Sequence, residues 1–274
     1  MKAIKQDLTK HIVLIVAGLL TFYPFVFEIQ TSFKSSFQFQ HEFWLPMWPP
    51  ELANYRDAFS QTRSYLVNSF IVSGASVIGV LALASLSAYT FARFDFPGRE
   101  FLFMLILGLL MIPGILTLVP RFLLIRDLGL IGTRGALIVP YIAGGQVFAI
   151  FILRSFIASL PEELFEAARI DGASNIRIFL TIAMPLCKPI LVTIAVMNIL
   201  GTWNDFIWPL VTLPDSSLWT ITIGIVNFTG HYQGLEAWGP MFAGYVIASI
   251  PLIVLFVFTM RAFISGLTSG AIKA

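Results

Sequence analysis

The sequence predicts an all-α protein that crosses a membrane six times, and three observations carry that prediction. Mean hydropathy is +0.85. Hydrophobic residues make up 57% of the 274 positions and charged residues 12%, where a soluble domain carries roughly 25% charge. Six mostly apolar runs lie at about 12–29, 66–91, 101–120, 136–156, 189–210 and 241–264, near the ~20 residues a helix needs to cross the hydrocarbon core. A closed barrel would instead show alternating segments of about 10 residues; these runs are continuous. Together they form one transmembrane domain over 1–274.

Composition excludes other classes. A net charge of +2 without a basic cluster gives no support for nucleic-acid binding. Cys187 is the single cysteine, so an internal disulfide and a thiolate metal site are both ruled out, and it reads as a small buried apolar side chain. His11, His41 and His231 are scattered, and neither HExxH nor GxSxG occurs, so no catalytic and no metal site is expected.

The first run follows Met1–His11 and superficially resembles a signal peptide. It is longer than the ~7–15 residues of a signal h-region, and no small-x-small cleavage pattern follows, so a retained first membrane helix is expected, with Glu28 at its outer end. Orientation follows Lys and Arg in short loops. With the N-terminus inside, Lys2, Lys5, Lys10, Arg93, Arg99, Arg154, Arg169, Arg177, Lys188, Arg261 and Lys273 are internal, against Lys34, Arg56, Arg63, Arg121, Arg126 and Arg134 outside. Both termini are then cytoplasmic, and the basic loop Arg121–Arg134 is the misfit. Residues 43–50, rich in Trp and Pro, suit a membrane interface. Residues 213–239 lack Lys and Arg and read equally well as a docking surface or as a plain connection.

Within the second run, Ala84, Ala88 and Ala92 recur at four-residue spacing, a stripe that lets helices approach closely. Pro24, Pro140 and Pro251 each remove a backbone donor inside or near a run and can kink it.

Residues 157–188, the longest inside segment, read as a short helix, a turn and a second helix. Ser159 and Glu162 have capping-box spacing, Pro161 suits a first turn, and Glu162 and Glu163 complement the positive helix end. Gly172 can end the helix in the left-handed conformation, Ser174 can cap the next, and Pro185 and Pro189 mark entry into the fifth run. Leu164, Phe165 and Ile170 make the first helix apolar on part of its surface. Physics alone leaves two uses open: insertion into a partner's groove or rest on the lipid interface.

Glu166-Ala167-Ala168, followed by Asp171-Gly172-Ala173 and by Ile182-Ala183-Met184-Pro185, resembles the EAA loop of binding-protein-dependent ABC importer permeases. Met184 stands where that family has Leu, a swap that keeps volume and apolarity. Trp203-Asn204-Asp205-Phe206 with Trp208-Pro209-Leu210 resembles the fifth span of the carbohydrate-type members, and Leu128-Gly129-Leu130 with Thr133 resembles their outer loop between spans three and four. The likeness covers most of the chain and is nearest to the shorter, six-span permease of maltose-type systems. It implies a type I ABC importer permease in a bacterial cytoplasmic (inner) membrane. It further implies a second, longer permease, a dimer of ATPase subunits holding ATP and Mg, an extracytoplasmic solute-binding protein, and a sugar or polyol-like solute. Glu166 would pair with a basic ATPase residue, Ala167 and Ala168 would allow close contact, and Asp171, Gly172 and Pro185 would shape the loop. No GxxxxGK[ST] phosphate loop occurs, so hydrolysis is expected on the partner and no cofactor in this chain. Asn198, Trp203 and Asn204 are candidates for the solute pathway. Asp205, an acid within an apolar segment, suits either that pathway or a structural hydrogen bond. A gradient-driven transporter, the main rival, would be expected to show buried acids, His chains or paired broken helices, and Asp205 alone comes near that pattern.

Overall fold

The structure, a computed structural model, describes residues 2–233 and 237–271, with side chains described over 10–232 and 237–260. Of the basic residues that set the predicted orientation, Lys2, Lys5, Arg261 and Lys273 lie outside the described side chains, as do residues 233–236 near the end of segment 213–239. Every regular element among the described residues is helical. This is the demand hydrocarbon makes, since backbone polar groups in lipid must be satisfied within the segment.

Four helices are long and apolar enough to cross a membrane: Lys10–Ser32 within α1 (Lys2–Ser32), α3 (Ala53–Arg93), α6 (Gly135–Ala158) and Trp238–Met260 within α13 (Trp238–Ala271). Two further spans are broken. Arg99–Met111 and Gly114–Asp127 meet at 96°, and Asn175–Leu186 and Lys188–Asn204 meet at 74°. The third predicted run, 101–120, is therefore not one straight helix. It comprises α4 (Arg99–Gly108), two 3₁₀ turns and α5 (Leu118–Asp127). Ile112 is extended, with φ −85° and ψ 113°, the geometry favoured before proline, and Pro113 starts the new direction. Pro24, Pro140 and Pro251, the predicted kink sites, sit inside continuous helices.

The chain divides into two compact units. The smaller comprises Met1–Ser64 and Gly224–Pro251. In it, α2 (Ser36–His41) opens with a capping box, Ser35 accepting from the Gln38 amide while the Gln38 side chain takes the Ser35 amide. Lys34, predicted as an outer-loop cation, is fully buried, and its Nζ donates to the carbonyls of Glu42 at 2.7 Å and Phe43 at 3.0 Å. Burial lowers its pKa from the ordinary lysine value, with Glu42 opposing. Segment 213–239 is more than a connection: it carries the 13-residue helix α12 (Ile221–Gln233), which buries Ile225 and Phe228 in this unit.

The larger unit comprises Tyr65–Ile223 and Leu252–Ala274. Its core gathers Val80, Ala84 and Ala88 of α3 with Ala149, Leu153 and Ile157 of α6, all fully buried. The small-residue stripe thus serves close packing. At Gly145 a Cβ atom would lie 2.6 Å from Val80 Cγ2, so only glycine permits this approach of α6 to α3.

In lipid the hydrophobic effect does not drive helix association, so fit decides. Ala84→Leu should overpack the α3–α6 seam and cost about 1–3 kcal/mol, seen as a lower melting temperature in detergent. Leu86→Ala, at a side chain 53% exposed on the same helix, should leave the melt unchanged. Equal effects would contradict the packing described.

Candidate functional site

Segment 157–188 folds as a helix, a glycine turn and a second helix. The first, α7 (Glu162–Ile170), has Glu162 and Glu163 at its positive end and Arg169 at its negative end. It stops in a Schellman arrangement: Ala173 N donates to Ala168 O at 2.9 Å and Gly172 N to Arg169 O at 3.0 Å. Gly172 has φ 78°, the left-handed conformation anticipated for it. Ser174 caps α8 (Asn175–Ile178) by accepting from the Arg177 amide at 3.3 Å. A π-helical turn, Phe179–Ala183, follows, then α9 (Met184–Leu186) containing Pro185, then α10 (Lys188–Asn204).

The predicted capping box at Ser159 does not form. Ser159 ends α6, where its hydroxyl donates to Phe156 O at 2.8 Å, and α7 begins after Pro161 with no side-chain cap. The Glu162 carboxylate turns to Arg93 and Arg169 instead.

Arg93, the last residue of α3, is the anchor of this segment. Its side chain is 6% exposed. Its Nη2 donates to Ile157 O at 2.7 Å and Leu160 O at 3.0 Å, the carbonyls at the end of α6. Its guanidinium carbon lies 3.6 Å from the ring centroid of Phe165, which is fully buried. A second arginine repeats the device nearby: Arg154 lies 3.8 Å over Phe103 and pairs with Glu100. The end of α3, the start of α4, the end of α6 and all of α7 are thereby fastened at one end of this unit.

With Phe165 turned inward, α7 leaves Glu166 and Ala167 exposed and Ala168 half-buried. Glu166 has no ion pair among the described residues. Asp171, Gly172 and Pro185 are exposed as well. Ile170 and Ile176 add apolar surface, at 86% and 72% exposure. The predicted loop residues thus form one accessible ridge on a braced base.

The four predicted pathway residues are not brought together. Asn198 lines a cavity of about 380 Å³ between α5, α6 and α10, with Arg121, Tyr141, Gly144, Gly145 and Gly201 among its neighbours. Trp203 is buried edge-on against Phe70 at 5.3 Å. Asn204 is exposed and donates to Leu200 O. Asp205 accepts from Tyr141 Oη at 2.9 Å and from the Trp208 amide at 3.2 Å, which ends α10 and starts the separate short helix α11 (Ile207–Thr212). The fifth predicted run, 189–210, is broken there. Sequence reasoning missed Arg121 in this cavity by assigning it to an outer loop; the signal available was a lone arginine just past Pro120 in an apolar run.

The larger unit thus carries, beside its apolar helices, a base braced by arginines and an exposed α7. Over residues 80–269 the chain matches the family described as binding-protein-dependent transport system inner membrane component, and it belongs to that family. The trehalose/maltose transport system permease protein of Thermococcus litoralis is 33% identical over 98% of this chain and 99% of its own length. An arabinooligosaccharides transport system permease protein of Halalkalibacterium halodurans is 34% identical, covering 93% and 92%, and a diacetylchitobiose uptake permease of Streptomyces coelicolor 32%, covering 96% and 88%. A chain of a bacterial ABC transporter crystallised for its part in alginate import superposes with a TM-score of 0.83 at 21% identity, over 94% of this chain and 96% of that one. The fold is that of an ABC importer permease. The two bent helix pairs, a feature sought for a gradient-driven transporter, are present here in a chain of the importer family.

Magnitudes rank the contacts of Arg93. The pair with Glu162, a side chain 50% exposed, is worth about 0–1 kcal/mol. Hydrogen bonds from a charged donor are worth about 1.5–3 kcal/mol each, and a desolvated cation–π contact about 2 kcal/mol. Arg93→Ala should therefore loosen α7 far more than Glu162→Gln. The check is cleavage after Glu163 and Glu166, sites present in every variant, by a glutamate-specific protease in the folded protein: rapid in R93A, near the wild-type rate in E162Q, intermediate in R93K. Equal rates in R93A and wild type would refute the bracing role.

Proposed function

We propose that this chain is one permease of an ATP-driven importer that carries a sugar or related polar solute across a bacterial cytoplasmic membrane. The observation that carries this reading is the braced, accessible ridge of α7, with Glu166, Ala167 and the Gly172 turn presented outward. In the proposed cycle a separate ATPase subunit receives α7 in a cleft, and closure of two ATPases on ATP and Mg drives the ridge. Glu166 supplies the charge for a basic partner residue, the two alanines admit close backbone approach, Asp171 and Gly172 form the turn, and Pro185 follows in α9 where the loop enters α10. Loop 157–188 and both termini then face the cytoplasm. An extracytoplasmic binding protein delivers solute from the other side, for which segment 213–239 is the proposed contact. The sugar-transport names of its relatives support the solute class. Their assembly as systems supports a second, different permease beside this one.

Two substitutions test the reading. Glu166→Lys reverses the proposed charge and should abolish ATP-dependent uptake while insertion and purification yield stay normal. Gly172→Val places a β-branched residue where φ is 78° and should reduce recovery of the ATPase with the tagged chain. Normal uptake by the first variant, together with full recovery by the second, would remove the coupling role. Uptake by the chain alone under a proton or sodium gradient would replace the importer reading.

A further inference from the structure

The cavity between α5, α6 and α10 holds polar groups that nothing in the chain satisfies. Arg121 is the one ionised side chain among its lining residues. Its guanidinium carbon lies 3.8 Å over the ring of Trp208, and that ring is fixed by its own Nε1 bond to Ala136 O at 2.9 Å. Stacking holds the guanidinium plane while leaving its edges, where all the donors lie, unoccupied. Among the described residues Arg121 donates no hydrogen bond, and its Nε is buried without a partner. Asp205, a carboxylate close enough to be felt by Arg121, is already engaged by Tyr141 and by the start of α11. Asn198 presents a second unmet group, its buried Oδ1, which no donor reaches. A half-buried guanidinium whose edges meet no acceptor has donors to spare beyond its attraction to Asp205, and the guanidinium fork matches carboxylate and phosphate oxygens in pairs. The cavity's volume falls at the small end of the ~300–1,000 Å³ range of small-molecule sites.

We infer that this cavity is the solute site contributed by this chain, and that its ligand is a hydroxylated solute bearing a carboxylate or a phosphate. Arg121 grips the anionic group and Asn198 Oδ1 accepts a hydroxyl proton. The inference rests on the importer reading and narrows its solute class to sugar acids or sugar phosphates.

The test uses the assembled transporter in phosphatidylcholine nanodiscs, without binding protein, titrated calorimetrically with digalacturonate, glucose 6-phosphate and maltose. At least one anion should bind, and maltose about tenfold more weakly or not at all. Arg121→Gln should weaken the anion by about tenfold or more, the loss of one charged hydrogen bond. Gly201→Leu should abolish binding, since a Cβ there meets nothing within 4 Å and the added side chain fills the cavity while the fold tolerates it. The inference is overturned if maltose binds as well as the anions or if R121Q keeps wild-type affinity. It is overturned equally if neither anion binds, as a lipid phosphate seated on Arg121 would cause, or if R121Q sheds the second permease, which would make Arg121 an interface residue. Failure of the importer reading looks different: the wild-type particle would then contain no ATPase.

Discussion

One guanidinium organises the end of the larger unit that matters most. Arg93 closes α3, receives the last carbonyls of α6 and stacks on Phe165 of α7. A charge this buried persists only when hydrogen bonds replace lost water; Nη2 finds two carbonyls and Nη1 the Glu162 carboxylate, while Nε is left without a partner. The two carbonyls are also the negative end of α6, where a cation is favoured electrostatically. Because one rigid, planar group meets three elements at once, the orientation of α7 is fixed relative to α3 and α6. The outward set of Glu166, Ala167 and Ile170 follows from where Phe165 is held.

Lipid imposes the second constraint. Backbone polar groups freed where a helix ends must find partners nearby, and two such places in the larger unit obey this rule. At the end of α10 the Asp205 carboxylate takes the amide of Trp208 and the hydroxyl of Tyr141. Beyond α11, Asn68 donates to the carbonyls of Ser217 and Trp219 while its own oxygen receives Arg134. Arg134, a cation of the basic loop that fitted the charge rule poorly, is thus spent on internal structure. Positive-inside counting treats every Lys and Arg as a free surface charge, and here Arg134 and Lys34 are not.

What the sequence made legible was local chemistry. Gly172 and Ser174 behave as their types dictate, because helix stops and caps depend on a few adjacent backbone groups. The alanine stripe was legible because four-residue spacing places small side chains on one face. The Ser159 box failed because α6 runs on to make Ser159 its own C-cap and α7 starts only after Pro161, which leaves Glu162 first in its helix and free to reach Arg93, 69 positions earlier. The bend at Pro113 was hidden because hydropathy sums apolar character and is blind to direction. Pro113 breaks its span while Pro140 does not, since the carbonyl that Pro140 leaves unmet, Ala136 O, accepts from Trp208 Nε1 at 2.9 Å. Arg121 was misplaced because a charge at the end of an apolar run looks like a loop until the chain is seen to turn back.

The braced ridge and the cavity are joined by α10, and the joint has a direction. From Lys188 to Asn198 the helix rises about 15 Å at ~1.5 Å per residue, so rotation at its base reaches Asn198 undiminished. Between α7 and that base lie the π turn Phe179–Ala183 and the 74° bend, where helical geometry is most easily re-formed. A second route leaves α7 through Arg93 into α3, whose Val80 touches α6 at Gly145 on the cavity wall. The wall bearing Arg121 is tied to both: Arg121 stacks on Trp208 of α11, which bonds Ala136 O of α6 and the Asp205 carboxylate at the end of α10. Asn198 stands on the helix that follows those two joints, so the ridge and the cavity wall share one element: the π turn and the 74° bend lie between α7 and α10, and the wall residue lies within α10 itself.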